Sequence, residues 1–497
     1  VRSVRLNSTV CLAIAACLFH HFVASAGAQA PNEAEPPPSP AEVPPAFADV
    51  RAYGAVGDGA ADCAAAFERA IASGIGVVRV PSGTFRLERT VEIDLAKTGP
   101  IAIQGSGVGR VLMAGAGPAF RFVGSHVKGS ADPTTFDADV LAKERMPTVD
   151  GVEFVGAHEE ADAVEARGTM QLTLTRCRVT DCRHGVHLVE RNRNLLVSDC
   201  HFYKNRGVGI FYDEVSLHQS NIVGCHISYC GGGGIVSRGG DVRNIHIGTC
   251  DLESNHATDG EPTANILIDC RTSTNGTAEV AIVGCTIQHQ SKAPRSANVR
   301  ILGRGLPDPL GAESTGARFP VRDRRWGHVT IIGNVFSDVR TNVHLDGARG
   351  VTLHGNTFWM GYDENLLVEN STQIVAGANA FERNPAYDYG NATTTKNAVI
   401  FRDCRDCTLQ GLHIQGVTAD AGLLIERCSR MNVTGCTVLD CDGPELLLRN
   451  VTDSRVSGCL LQDDRAEGER GVFTTEDCGN VRTDETGDVA LPAAKQP

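Results

Sequence analysis

The chain has 497 residues, 54 of them Gly, with 5% aromatics and a formal net charge of −13 at pH 7. The acidic balance argues against nucleic acid as a partner. The length exceeds an ordinary single core, and the scarcity of aromatics argues against one very large core. A repeat architecture escapes both limits, because each unit packs only on its neighbours.

Residues 1–28 read as a secretory signal. Arg2 and Arg5 precede an apolar run from Val10 to Val23, broken by His20 and His21, and small residues follow with A-x-A spacing at Ala24-Ser25-Ala26 and Ala26-Gly27-Ala28. That places the mature chain outside the cell or in the periplasm. No other segment is apolar enough to span a bilayer. Residues 29–47, rich in Pro, Ala and Glu, read as an extended linker. A domain is expected over 48–480, with a cap and first strands at 48–90, and a flexible tail over 481–497.

Within the cap, Tyr53-Gly54-Ala55-Val56-Gly57-Asp58-Gly59 is a Gly-rich turn, Ala61–Ala72 carries Phe67 and Ile71 at helical spacing, and Val77–Phe85 reads as strand, turn, strand. The turn lacks a following Lys-Ser/Thr and a βαβ unit, which excludes a nucleotide site. A helix here would plug one end of a stacked core and cover its strand edges.

Beyond the cap one pattern recurs: alternating apolar residues, a Gly or polar residue, then Cys or Asn, then a second alternating pair. The anchors are Cys177, Cys200, Cys225, Cys250, Cys285, Asn334, Asn356, Asn379, Leu412, Cys436 and Cys459, most of them 22 to 25 residues apart. A third short strand lies between anchors, as at Asn342-Val343-His344-Leu345 and Asn365-Leu366-Leu367-Val368. Three strands and no helix per repeat, at this period, predict an all-β, single-stranded parallel β-helix with an N-terminal capping helix. Stacking would bring the Cys anchors into an inward column of small apolar thiols. Disulfides between neighbouring coils, or zinc at Cys404, Cys407 and Cys428, are the alternatives.

The Gly-rich turn, the helix after it, Val80-Pro81-Ser82-Gly83-Thr84-Phe85 and the later Gln104-Gly105-Ser106-Gly107 together resemble the N-terminal signature of the pectate-lyase-like, right-handed parallel β-helix superfamily. Ala61-Asp62-Cys63 departs from that signature's Asp-Thr helix start, and Phe85 replaces its Tyr. The resemblance implies sugar chains bound along a front sheet under long loops. The polygalacturonase motifs and the Asp-Pro-His of alginate epimerases are absent, so no specific enzyme family is matched.

Five late front strands, from Val343, Leu366, Val399, Leu423 and Leu446, reach the next anchor in 13 residues, whereas Ile266 takes 19 and Val299 takes 35. The turns 255–264, 291–297 and 383–397 swell as well. Function concentrates where long loops leave a regular scaffold. Strand alternation then puts Asp269, Arg300, His344, Asp346 and Glu369 on one outward patch, and these are the candidate catalytic residues. In the same alignment the strand at Val208 presents Gly209 and Phe211. Adjacent Asp346 and Glu369 should repel, raising one pKa, while Asp269 and Asp346, roughly 10 Å apart, leave room for a water. Elimination would instead use Arg300 or His344 as base.

Arg238, Lys292, Arg295 and Arg402 are candidate cations for an acidic glycan, and Tyr362, Tyr387 and Tyr389 candidate sugar platforms. Arg318, Arg322, Arg324 and Arg325 point to an acidic glycan too. Asp269, Asp346 and Glu369 also offer the oxygen set of a calcium site; no other cofactor is implied. The expected activity is cleavage of an acidic extracellular polysaccharide by a monomeric lyase or glycoside hydrolase. The alternative is a non-catalytic glycan-binding rod, which would show a long row of exposed aromatics instead of one polar cluster.

Overall fold

The computed structural model describes residues 45–127, 134, 136–257, 261–306, 324–465 and 472–484. The expected signal and nearly all of the linker lie outside these residues, as do Arg318 and Arg322. From Pro45 onward the described residues form one compact unit.

The chain winds into parallel coils. Each full coil contributes one strand to a 14-stranded front sheet, and two to a 30-stranded sheet that bends around the rest of the core. In one coil these are Arg191–Ser198, His201–Tyr203 and Val208–Asp213. The bend between the first two falls at the anchor. The residue before each anchor adopts a left-handed backbone: φ is 53° at Asp199, 62° at Gly224, 65° at Gly333 and 61° at Gly458. This explains the recurring Gly or short polar residue before Cys or Asn, since Gly and Asn or Asp enter that region at least cost.

The anchors stack as expected. Cys177, Cys200, Cys225, Cys250 and Cys285 are buried free thiols, and all sixteen described cysteines are unpaired. Where the anchors become Asn, their amides form a ladder: Asn334 donates to Asn356 (3.0 Å) and Asn356 to Asn379 (2.9 Å). A second ladder runs along the entry to the front strands, from Asn265 to Asn298 (2.8 Å), Asn298 to Asn342 (2.7 Å) and Asn342 to Asn365 (2.8 Å). Each amide thereby satisfies a buried neighbour, which rigidifies the turn. Phe336, Phe358 and Phe381 stack beside the first ladder at 4.9 and 4.6 Å between centroids.

The cap is present but shorter than expected. Its helix spans Ala64–Ala72, whereas Ala61 and Asp62 belong to a strand, Asp58–Asp62. Phe67 on its buried face packs against Phe85 and Phe120, at 6.2 and 5.6 Å, and closes that end of the core. At the other end a strand runs on through Thr483, past the expected boundary at 480.

Candidate functional site

On the front sheet, strand Ala297–Leu302 pairs with Val339–Asp346, which pairs with Gly361–Glu369, which pairs with Ala398–Arg402. The register places Arg300 beside His344, and Asp346 beside Glu369, as the alternation predicts. Four of the candidates join in one chain of contacts. Arg300 Nε donates to His344 Nδ1 (3.2 Å), His344 Nε2 meets Glu369 Oε2 (3.3 Å), and Arg402 Nη1 meets Glu369 Oε1 (3.1 Å). A guanidinium can only donate, so Nδ1 of His344 accepts and the ring proton sits on Nε2, facing Glu369. Those hydrogen bonds hold the Glu369 carboxyl below the usual range against its partial burial, and Arg402 adds to them. The expected repulsion from Asp346 does not govern it: Asp346 turns aside to accept from Asn370 (2.9 Å).

Arg300 is 6% exposed. Its remaining donors go to the backbone carbonyls of Thr263 and Arg295. Burial pushes it down to about 10, with the charges of Arg295 and Arg271 contributing. Each of its three nitrogens thus has a partner within the protein. Asp269 stands apart, gripped on both oxygens by Arg271 (2.9 and 2.7 Å). Burial alone would raise its carboxyl, but this pairing holds it low. Asp269, Asp346 and Glu369 thus turn to three different partners and do not converge as the possible calcium site would need. Among the described residues no three His, Cys, Asp or Glu side chains are grouped to hold a metal ion.

The residue that completes the cluster is Glu364. At the entry to strand Gly361–Glu369, Asn365 and Leu366 are both buried, so the period of two breaks and Glu364 comes to the outward face. Thr341 Oγ1 donates to it (2.6 Å). Burial pushes its carboxyl above the usual carboxylate range, helped by the charges of Asp363 and Glu369, against the Thr341 hydrogen bond and the pull of His344. One strand therefore carries a raised carboxyl at Glu364 and a lowered one at Glu369, the kind of divergence that separates an acid from its partner. Glu364 opens on a cleft of about 400 Å³ with an apolar floor of Ala398, Ile400 and Leu424. Asp363, Lys396, Arg402, Thr418 and Asp420 complete its rim.

Two family descriptions match parts of the chain: a right-handed beta helix region over residues 138–287, and a periplasmic copper-binding protein (NosD) over 324–458. The N-terminal fragment of bacteriophage phi29 gene product 12 superposes with a TM-score of 0.51 at 15% identity, covering 88% of this chain and 72% of that one. Tailspike protein 3 of bacteriophage CBA120 gives 0.48 at 15% identity, over 91% of this chain and 64% of the tailspike. This chain therefore spans less than two thirds of that tailspike. The catalytic unit of a GH87 α-1,3-glucanase from Streptomyces thermodiastaticus gives 0.38 at 12% identity, over 89% and 69%. No curated protein sequence matches the chain.

The chain is a right-handed parallel β-helix.

The remaining candidates scatter over this β-helix. Lys292 and Arg295 are exposed on the turn before Ala297. Arg238 lies over the Phe211 ring, 5.8 Å from its centroid. Tyr362 sits at the rim strand, where its carbonyl accepts from Lys396 N–H (3.1 Å). Tyr387, on the 383–397 turn, lines a separate cleft, and the exposed Tyr389 ring lies 6.1 Å from the Tyr387 ring, outside that lining.

A second polar cluster on the front sheet escaped the alignment. Ile210, not Val208, pairs with Ile235, so Phe211 and Asp213 take the outward positions expected for Gly209 and Phe211. His187 lies between Asp162 (3.4 Å) and Asp213 (3.0 Å), under the stacked ring of Phe211. Arg183 holds both oxygens of buried Asp162 (2.9 and 2.6 Å). Burial alone would push His187 down, but the two carboxylates reverse this and raise it to about 9. Both charges of this cluster are matched inside the protein, as in an ion-pair network that orders the sheet.

Proposed function

We propose that this β-helix hydrolyses glycosidic bonds of an acidic polysaccharide, with Glu364 as the proton donor. The observation that carries this reading is the raised carboxyl of Glu364 on the wall of an amphipathic cleft, on the same strand as ionised Glu369. A pyranose has apolar faces and a hydroxyl-bearing rim, which suits the Ile400–Leu424 floor and the polar edge. A protonated carboxyl is what a departing glycosidic oxygen needs. Glu369, held ionised by His344 and Arg402, would stabilise the positive charge that develops on the sugar. Arg402 and Lys396 supply cations for an acidic glycan. Elimination is less well supported, because Arg300 and His344 have their nitrogens committed to neighbours.

A location outside the cytoplasm is part of the proposal. The signal-like residues 1–28 and the periplasmic description matched by residues 324–458 support it. Among the described residues no helix is long and apolar enough to cross a membrane.

The test is incubation with uronic-acid and neutral polysaccharides, reading reducing ends together with absorbance near 235 nm. Reducing ends without absorbance are expected. Absorbance would replace hydrolysis by elimination, and no product from any glycan would favour the glycan-binding rod.

A further inference from the structure

A second cleft, of about 280 Å³, lies across the 383–397 turn from the Glu364 cleft. Lys396 lines one and its neighbours Thr395 and Asn397 line the other. The turn is a built feature. Arg383 donates to the carbonyls of Gly416 (2.8 Å), Ala392 (3.0 Å) and Thr395, and the Asn384 side chain caps Pro385–Tyr387. Trp359 is fixed as well, its carbonyl accepting from Asn342 of the ladder (3.0 Å). The Trp359 and Tyr387 rings meet at 4.8 Å between centroids, and Tyr387 stays 41% exposed.

Around these rings stand Glu382 and Asp388, whose carboxylates have no hydrogen-bond partner among the described residues. The Trp359 indole N–H is likewise without one. Rigid aromatic faces rimmed by free acceptors and one donor match a pyranose, which has apolar C–H faces and donating hydroxyls at its edge. The guanidinium of Arg383 within the turn and that of Arg465 on the rim oppose a cationic ligand. The geometry points to the Trp359–Tyr387 cleft as a sugar-ring subsite separate from the acid cleft, gripping another residue of the same glycan chain. This rests on the reading of the protein as one that acts on polysaccharide.

The chain has two tryptophans, Trp326 and Trp359, so intrinsic fluorescence reports on this cleft. The experiment uses the full Glu364→Gln protein, to prevent turnover, titrated with hexamers of glucose, xylose, galacturonate and mannuronate. One of them should quench the fluorescence. Adding Tyr387→Ala should weaken that binding on the order of tenfold, while Tyr387→Phe, which keeps the ring, should preserve it. No quenching by any hexamer, or unchanged affinity in Tyr387→Ala, overturns the subsite. Quenching without cleavage by the wild type would remove the hydrolase and leave the subsite standing; cleavage without quenching would do the reverse.

Discussion

Replacing His187 by Gln should remove a pH-dependent part of the stability. In the fold the imidazole is raised from 6.5 to about 9 by Asp162 and Asp213, against the effect of its own burial. A rise of that size is worth about 3 kcal/mol of preferential stabilisation of the protonated ring. Because the folded value is raised, the contribution is complete below about pH 6.5. It declines as pH climbs and is lost once pH passes about 9. The side chain is 13% exposed, so solvent screening removes little of it. Urea unfolding of wild type and His187→Gln should be compared at pH 6 and pH 10. Wild type should be more stable at pH 6, and the difference should shrink by about 3 kcal/mol at pH 10. A difference that does not change with pH would refute the ion-pair account of the cluster.

Asn342→Ala should cost about 1–3 kcal/mol, since it strands the Asn298 amide and the Trp359 carbonyl inside the turn. Thermal unfolding checks this, and an unchanged midpoint would deny the ladder a structural role. Glu369→Gln should lower the cleavage rate roughly 10²-fold with little change in fold, read by initial rates and circular dichroism. A wild-type rate would remove Glu369 from the mechanism. In native protein, thiol reagents should reach the half-buried Cys459 and Cys478 well before the fourteen buried thiols of the described residues, and all sixteen of these should titrate after unfolding. Disulfides found by mass spectrometry would contradict the free-thiol column.

The coil was readable because its period is imposed by backbone geometry. A left-handed residue before each corner favours Gly or a short polar side chain, with Arg176 and Ala378 as exceptions, and the corner favours Cys or Asn, with Leu412 as the exception. The register of the late front strands followed from the same spacing, which placed Arg300 beside His344 and Asp346 beside Glu369. The alignment failed where the period of two breaks. At Val208 the inward residue is Ile210, which hid Asp213. At Asn365-Leu366 two successive side chains turn inward, which hid Glu364. Register also does not fix where a long side chain reaches. Asp346 and Glu369 are register neighbours, yet one finds Asn370 and the other His344 and Arg402. Trp359 lies in a turn that the strand pattern leaves blank, and only the folded 383–397 segment brings Tyr387 against it.

The central claim is that Glu364 delivers the proton to a departing sugar. Its most direct test is the pH dependence of reducing-end release by wild type and by Glu364→Gln, on the polysaccharide the wild type cleaves best. A general acid must hold its proton to act. Wild-type activity should therefore persist above the ordinary carboxylate range and fall as pH rises through the elevated value of Glu364. The variant should lose about 10²- to 10⁴-fold and with it that alkaline limb. Equal rates, or an alkaline limb that survives in Glu364→Gln, would contradict the account.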